Sequence, residues 1–375
     1  MEALSPTVIT LAALTLTPLA LWAHIAFWGW YYRRGELDGE RHWVTAADGW
    51  RIALERHPLP DGVARAGVAL CCPGLACNGR IFHLHDEVSF MQGLRAQGYE
   101  VWIIHPRGMG ASERPVEGEW RFGHADYLKD GIAALRYVHR FTREAPLWVG
   151  HSMGGLIGYE IAAIAPRKLR GLVTLGTPTD LSVHTVPRFH YMMFKWFCKG
   201  LKVAYLGKLS TLVAPWAGWV PALHPAPLYV NTQLLPAHHL RAFLAQAFED
   251  TPRQLLDEFV GAVDGRGPLS EEGWGRYREM LRALKVPIFA VVSDADGLAP
   301  LRVTSAIEGW GPPGKVTMWR LREYGHAELA VSLPARALIA PRVAEWAEAH
   351  TERRVKRAAQ GTAQGTAQVT AEVSA

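Results

Sequence analysis

The sequence predicts an α/β protein: a mostly parallel central sheet flanked by helices, with an inserted helical lid and an N-terminal transmembrane helix. Three observations predict it. Apolar runs ("RAGVALCCPG", "EVWIIHPRG", "PLWVGHS", "LRGLVTLGTP", "VPIFAVVSD" and "KVTMWRLREYG") alternate with helix-compatible segments, the pattern of parallel strands joined by crossover helices. About a hundred residues with little strand character interrupt that rhythm between "LVTLGTP" and "VPIFAVVSD". From Ala3 to Tyr32 there is no Asp, Glu, Lys or Arg.

Residues 1–35 read as a membrane anchor. A helix rising about 1.5 Å per residue over such a stretch can cross a hydrocarbon core of about 30 Å. Trp22, Phe27, Trp28, Trp30, Tyr31 and Tyr32 crowd its C-terminal end, where amphipathic rings settle at headgroup level, and Arg33 and Arg34 follow. A cleaved signal peptide fits less well, since "MEALSPT" carries an acid rather than basic residues and no Ala-x-Ala pattern follows. Pro18 would kink the helix, and His24 reads as an interfacial or satisfied histidine rather than a ligand. With Arg33, Arg34 and Arg41 on one side and only Glu2 on the other, the expectation is a single-pass protein whose main domain is cytoplasmic. Cys71, Cys72, Cys77 and Cys198 fit buried thiols in a reducing compartment and lack the paired spacing of a zinc site.

"WVTAADGWRIALERHPL" carries a hairpin signal at Asp48-Gly49 and opens the globular part. The core's first part spans 36–178, the lid 179–285, the core's second part 286–350, and 351–375 is a disordered tail that repeats GTAQ. Thr251-Pro252 and Ser270 mark helix starts in the lid's second half. A formal charge of +5 comes largely from the local stretches "YYRRG" and "ERRVKR", which argues against a nucleic-acid-binding face.

"PLWVGHSMGGLIGYE" places Ser152 between a strand-like run and a helix-compatible one, with Gly150 and Gly154 two residues either side. Small residues there let the chain make the sharp strand-to-helix turn that exposes a nucleophile. A serine hydroxyl needs a base, and the base needs an acid to orient it. Asp294 and Asp296 follow one later strand and His326 follows the next, so a Ser, Asp, His order is complete.

On these residues the chain resembles the α/β-hydrolases of the serine esterase and lipase type over roughly residues 43–350. The resemblance implies a catalytic triad of Ser152, Asp296 and His326. Asp296 is preferred over Asp294 because the family's acid tends to precede a proline by four residues, here Pro300, and Asp180 is a more distant alternative. It also implies an oxyanion hole from the amides of Leu75, in "CCPGLACNGRIF", and Met153, each worth about 3 kcal/mol. Pro73-Gly74 stands where the family usually has His-Gly, and His105, in "HPRGMGASERP", where it usually has the acid of Asp-x-Arg-Gly, its role left open.

The expected function is that of a membrane-anchored serine hydrolase acting on a hydrophobic, lipid-like carboxylic ester through an acyl-enzyme, without metal or organic cofactor. An acyltransferase with the same triad, a perhydrolase, and a non-catalytic membrane-tethered module are the alternatives. The substrate class rests on the lid's first half, where large aromatics and Met interleave with Lys195, Lys199, Lys202 and Lys208, a pattern of membrane surfaces but also of a lid's own core. "FHLHDE" places His83, His85, Asp86 and Glu87 together, yet no partner cluster follows in sequence, so no metal role is expected. Gly108 and Gly110 form a lone GxG, too little for a phosphate loop.

Overall fold

A computed structural model describes residues 5–32, 39–116, 119–182, 201–219, 231, 233–263 and 271–350. Arg33, Arg34, Lys195, Cys198, Lys199, Ser270 and the tail 351–375 lie outside the described residues.

Among the described residues, eight strands form one sheet in the order β1-β2-β4-β3-β5-β6-β9-β10. β1 (Glu40–Thr45) and β2 (Arg51–His57) are antiparallel and joined through the predicted Asp48-Gly49 turn, where Gly49 takes a φ of 87°. β2 also runs antiparallel to β4 (Tyr99–His105). All remaining pairs are parallel: β3 (Gly67–Cys72), β5 (Leu147–His151), β6 (Gly171–Leu175), β9 (Ile288–Ser293) and β10 (Val316–Leu321).

The strand alternation explains why the central runs read as continuously apolar. Ala69, Cys71, Val101, Ile103, Val149 and Phe289 face one hydrophobic cluster, while Leu70, Cys72, Trp102, Ile104, Trp148 and Ile288 face the other. The first cluster is closed by α2 (Phe90–Ala96) and by Ile339 and Val343 of the C-terminal helical segment. α3 (His124–Thr142) and α4 (Met153–Ile164) close the second. Cys71 and Cys72 thus point to opposite faces, and with Cys77 they are free and buried. Burial pushes the Cys77 thiol up to about 12, which leaves it inert.

Between β6 and β9 the described chain is mostly helical: Leu206–Val213, Ala237–Gln246, Arg253–Val263 and Glu271–Arg282. The third helix starts just after Thr251–Pro252, which form β8 and pair with β7 (Val203–Ala204). Leu240 and Phe243 from this segment belong to the same cluster as the sheet, and Tyr277 and Leu281 to the opposite one. The apolar residues named on the helices Ala237–Gln246 and Glu271–Arg282 are therefore spent on the core.

The transmembrane expectation is corrected. α1 does form, over Pro6–Tyr32, but among the described residues no helix is long and apolar enough to cross a membrane. Length is not what fails, since its 27 residues rise about 40 Å. Four threonines, two prolines and His24 dilute its apolar character, and it packs in part against the helices Leu206–Val213 and Ala237–Gln246. His24 Nε2 donates to the Leu212 carbonyl at 3.1 Å, its ring stacks on Trp216 at 4.9 Å, and the Gln246 amide donates to the Tyr32 carbonyl. The single-pass topology and the cytoplasmic placement deduced from Arg33, Arg34 and Arg41 lose their basis with it.

Candidate active site

β5 ends at His151 and α4 begins at Met153, so the whole reversal from strand to helix falls on Ser152. Its φ of 52° and ψ of −118° lie where a residue with a Cβ is strained. The neighbours make that turn possible only because they lack side chains. A Cβ on Gly150 would come within 2.3 Å of the Gly154 carbonyl, and one on Gly154 within 2.1 Å of the Cys72 carbonyl oxygen. The turn is held by Ser152 N–H donating to the Leu175 carbonyl at 2.9 Å, Thr177 Oγ1 donating to the Ser152 carbonyl at 3.1 Å, and Trp148 Nε1 donating to the Gly154 carbonyl at 3.0 Å.

Asp296 follows β9 and His326 follows β10, and their side chains meet: His326 Nδ1 lies 2.7 Å from Asp296 Oδ2. The other carboxylate oxygen accepts the Leu298 and Ala299 amides at 3.0 and 2.7 Å, which fixes its orientation. Both side chains are buried, and His326 Nε2 has no hydrogen-bond partner among the described residues. Gly176, at the end of β6 with a φ of 58°, leaves room for the pair, since a Cβ there would lie 3.2 Å from both Asp296 Oδ2 and His326 Nδ1. Ser152 bonds the residues on either side of this glycine, so serine, histidine and aspartate surround one strand end. Asp294 is not part of it: it is exposed and accepts the Glu323 amide at 3.1 Å. Asp180 turns back on its own loop, accepting from Ser182.

Met153 follows Ser152 directly at the start of α4, and Leu75 follows Gly74, the residue that approaches Ser152 from the loop after β3. Gly74 permits the approach, because a Cβ there would stand 3.0 Å from Ser152 Cβ and 2.9 Å from His151 Nδ1.

Other residues at this end of the sheet carry no signal in sequence. His151, read only as the variable position of the glycine-serine motif, is buried, and its Nε2 donates to the His326 carbonyl at 3.0 Å. Burial, and after it His326, pushes its pKa down to about 3, so the ring is neutral. Glu328, two residues past His326, is buried too; desolvation first, with the Asp296 charge adding to it, pushes its carboxyl up to about 8. One of its oxygens accepts the Asn231 amide, and the other has no partner among the described residues.

His105, whose role the sequence left open, is buried with Nε2 3.2 Å from Glu55 Oε1 on the adjacent β2. Burial alone would raise the Glu55 pKa, but the His105 contact and charge bring it below the ordinary value. Two residues on, Arg107 forks between Asp130 on α3 (2.7 Å) and Asp48 in the β1–β2 turn (2.8 Å), which pins the loop after β4. The only His, Cys, Asp or Glu group among the described residues close enough to share a metal ion is His85, Glu87 and His239, none of which belongs to this cluster.

A family model described as the alpha/beta hydrolase fold matches residues 68–329. A curated relative, the AB hydrolase superfamily protein YfhM of Bacillus subtilis (strain 168), is 30% identical over 110 residues, which are 28% of this chain and 37% of the relative. The match thus spans little more than a third of that relative's length. Among solved structures, a soluble variant of the monoglyceride lipase from Saccharomyces cerevisiae superposes with a TM-score of 0.58 at 14% identity, covering 85% of this chain and 98% of that one. The monoacylglycerol lipase of Paleococcus ferrophilus gives 0.55 at 15% identity, over 80% and 99%. At such identities the likeness is one of fold.

Proposed function

The chain belongs to the α/β-hydrolase family, and from that footing we propose that it is a serine hydrolase of hydrophobic, lipid-like carboxylic esters. The observation that carries the reading is the buried His326–Asp296 pair set beside a strained, half-exposed Ser152. With Nδ1–H held by Asp296, His326 presents the lone pair of Nε2 and takes the proton of Ser152 Oγ as that oxygen attacks the ester carbonyl. The carbonyl oxygen becomes an oxyanion facing the Leu75 and Met153 amides. Collapse breaks the bond to the alcohol, which leaves with the proton from the imidazolium. Water then attacks the acyl-enzyme along the same path, returning the proton to Ser152 and releasing the acid. His151 acts as a positioning residue, through the backbone of the base. An acyltransferase would share the first half and use an alcohol or amine instead of water; no feature of the site favours it.

A hydrophobic substrate is supported by the surface around the helical segment and by the solved lipases of the same fold, whose names specify glycerol monoesters. Leu209 and Trp219 stand exposed, with Lys208 stacked on the exposed Tyr205 ring at 4.2 Å and Arg241 on Trp219 at 4.9 Å. On α1, which packs against this segment, Leu14, Leu19, Trp22, Phe27 and Trp30 are exposed as well. Rings and aliphatic side chains backed by cations suit a lipid surface, on which the protein lies without spanning it.

The test is a series of p-nitrophenyl esters from acetate to octanoate, kept soluble with detergent. Turnover efficiency is expected to rise with chain length, because each buried methylene contributes about 0.8 kcal/mol. A steady fall beyond acetate contradicts the hydrophobic substrate.

A further inference from the structure

We propose that His85, Glu87 and His239 form a binding site for a divalent transition-metal ion, zinc above all, that ties the helix Ala237–Gln246 to the body of the sheet domain. In sequence the "FHLHDE" stretch has no partner. In the fold, His239 arrives from 152 residues away, and one ligand atom from each of the three side chains lies within 4.8 Å of the others. Two imidazoles and a carboxylate are a donor set zinc takes with a fourth position open to water.

The geometry is close to what the ion requires. Zinc bonds of about 2.0–2.1 Å in a tetrahedron put neighbouring ligand atoms about 3.3 Å apart. His239 Nε2 and Glu87 Oε2 already stand at 3.3 Å, and the His85 and His239 ring centres are 5.0 Å apart. His85 and Glu87 are exposed, so rotation of their side chains can close the remainder. Their backbone is tied down: His85 caps and Glu87 lies within a 3-10 turn in which the Asp86 carbonyl accepts from Arg336 at 2.7 Å and the Asp86 carboxylate from Gln92 at 3.0 Å. His239 is 3% exposed and fixed on its helix, with the His238 ring tilted against it at 3.9 Å between ring centres. One ligand is thus immobile and buried, while two are adjustable and open to solvent, an arrangement that gives an ion a route in.

A buried histidine facing one glutamate could also be a plain polar contact, and the two readings diverge on metal. The experiment uses the full chain, stripped with a chelator and titrated with zinc chloride against a chromophoric competitor, with Ser152→Ala, His85→Ala and Glu87→Gln in parallel. Wild type and Ser152→Ala are expected to take up one equivalent and to melt roughly 5 °C higher with zinc in excess. His85→Ala and Glu87→Gln, whose side chains are exposed and whose folding is not at risk, should bind at least about tenfold more weakly and lose the shift. Failure of the wild type to compete for zinc, or uptake that both ligand variants leave unchanged, overturns the proposal. Since the readout is metal uptake rather than turnover, the outcome is independent of the serine mechanism.

Discussion

Ser152 carries a backbone strain of about 1–3 kcal/mol that persists only because its surroundings over-determine it. Gly154 is the most exacting of these neighbours. Gly154→Ala drives a methyl against the Cys72 carbonyl at 2.1 Å and is expected to destabilise the fold by about 2 kcal/mol or more and to abolish turnover, as thermal melts and ester assays would measure. For the acid, Asp296→Asn should lower kcat by orders of magnitude by favouring the wrong tautomer of His326, whereas Asp294→Asn should change it little; steady-state kinetics on the two variants decide the order. Arg107→Ala leaves Asp130 buried without its partner, and chemical denaturation should show a loss of about 3–5 kcal/mol. The serine and its glycines were legible because the elbow is a local device spanning five residues. The choice of Asp296 came from a family habit, and the contact with His326 accords with it. His151, Glu328 and the Arg107–Asp130 clamp were not legible, because what distinguishes them is burial by elements far away in sequence.

At the scale of elements, the central strands were readable since strands buried on both faces are apolar throughout, and the hairpin since a glycine at φ 87° fits its tight turn. α1 shows where such reading stops. An uncharged run dictates a helix but not what the helix rests on, and here part of it rests on Trp216 and Gln246. Its outward side and the neighbouring Trp219 remain exposed. Liposome flotation should therefore recover the protein with anionic vesicles, and the triple variant Trp22→Ser, Trp30→Ser, Trp219→Ser should lose most of that binding while keeping turnover of a soluble short-chain ester. Equal flotation of the variant would mean that these rings play no part at a lipid surface. Of the lysines expected to interleave with rings before β9, Lys195 and Lys199 lie outside the described residues, and Lys208 is the one seen beside an exposed ring.

For the whole molecule, two buried groups at the same end of the sheet pull stability in opposite directions with pH. Glu328 ionises at about 8 in the fold against an ordinary 4.5, so between those values the unfolded chain has released a proton the folded chain keeps, and stability falls as pH rises. His151 ionises at about 3 against an ordinary 6.5, so across that window the unfolded chain binds a proton the folded chain refuses, and stability falls as pH drops. Each slope is at most about 1.4 kcal/mol per pH unit. The two oppose one another between 4.5 and 6.5, which leaves a decline due to Glu328 alone from 6.5 to 8. Urea melts should show that Glu328→Gln flattens the decline above pH 6.5, and a slope identical to wild type would place the Glu328 carboxyl in its ordinary range.

The central claim is that Ser152 is a nucleophile activated by His326, and covalent labelling addresses it without assuming any substrate. A fluorophosphonate probe reacts only with a serine whose proton has a base to go to. After reaction with the purified full chain, peptide mapping by mass spectrometry is expected to find one adduct per molecule, on Ser152 in the peptide containing Gly150–Gly154. Ser152→Ala should carry none, and His326→Ala should label at least about a hundredfold more slowly. Labelling that survives in Ser152→Ala, or wild-type protein that stays unlabelled while natively folded, would contradict the account.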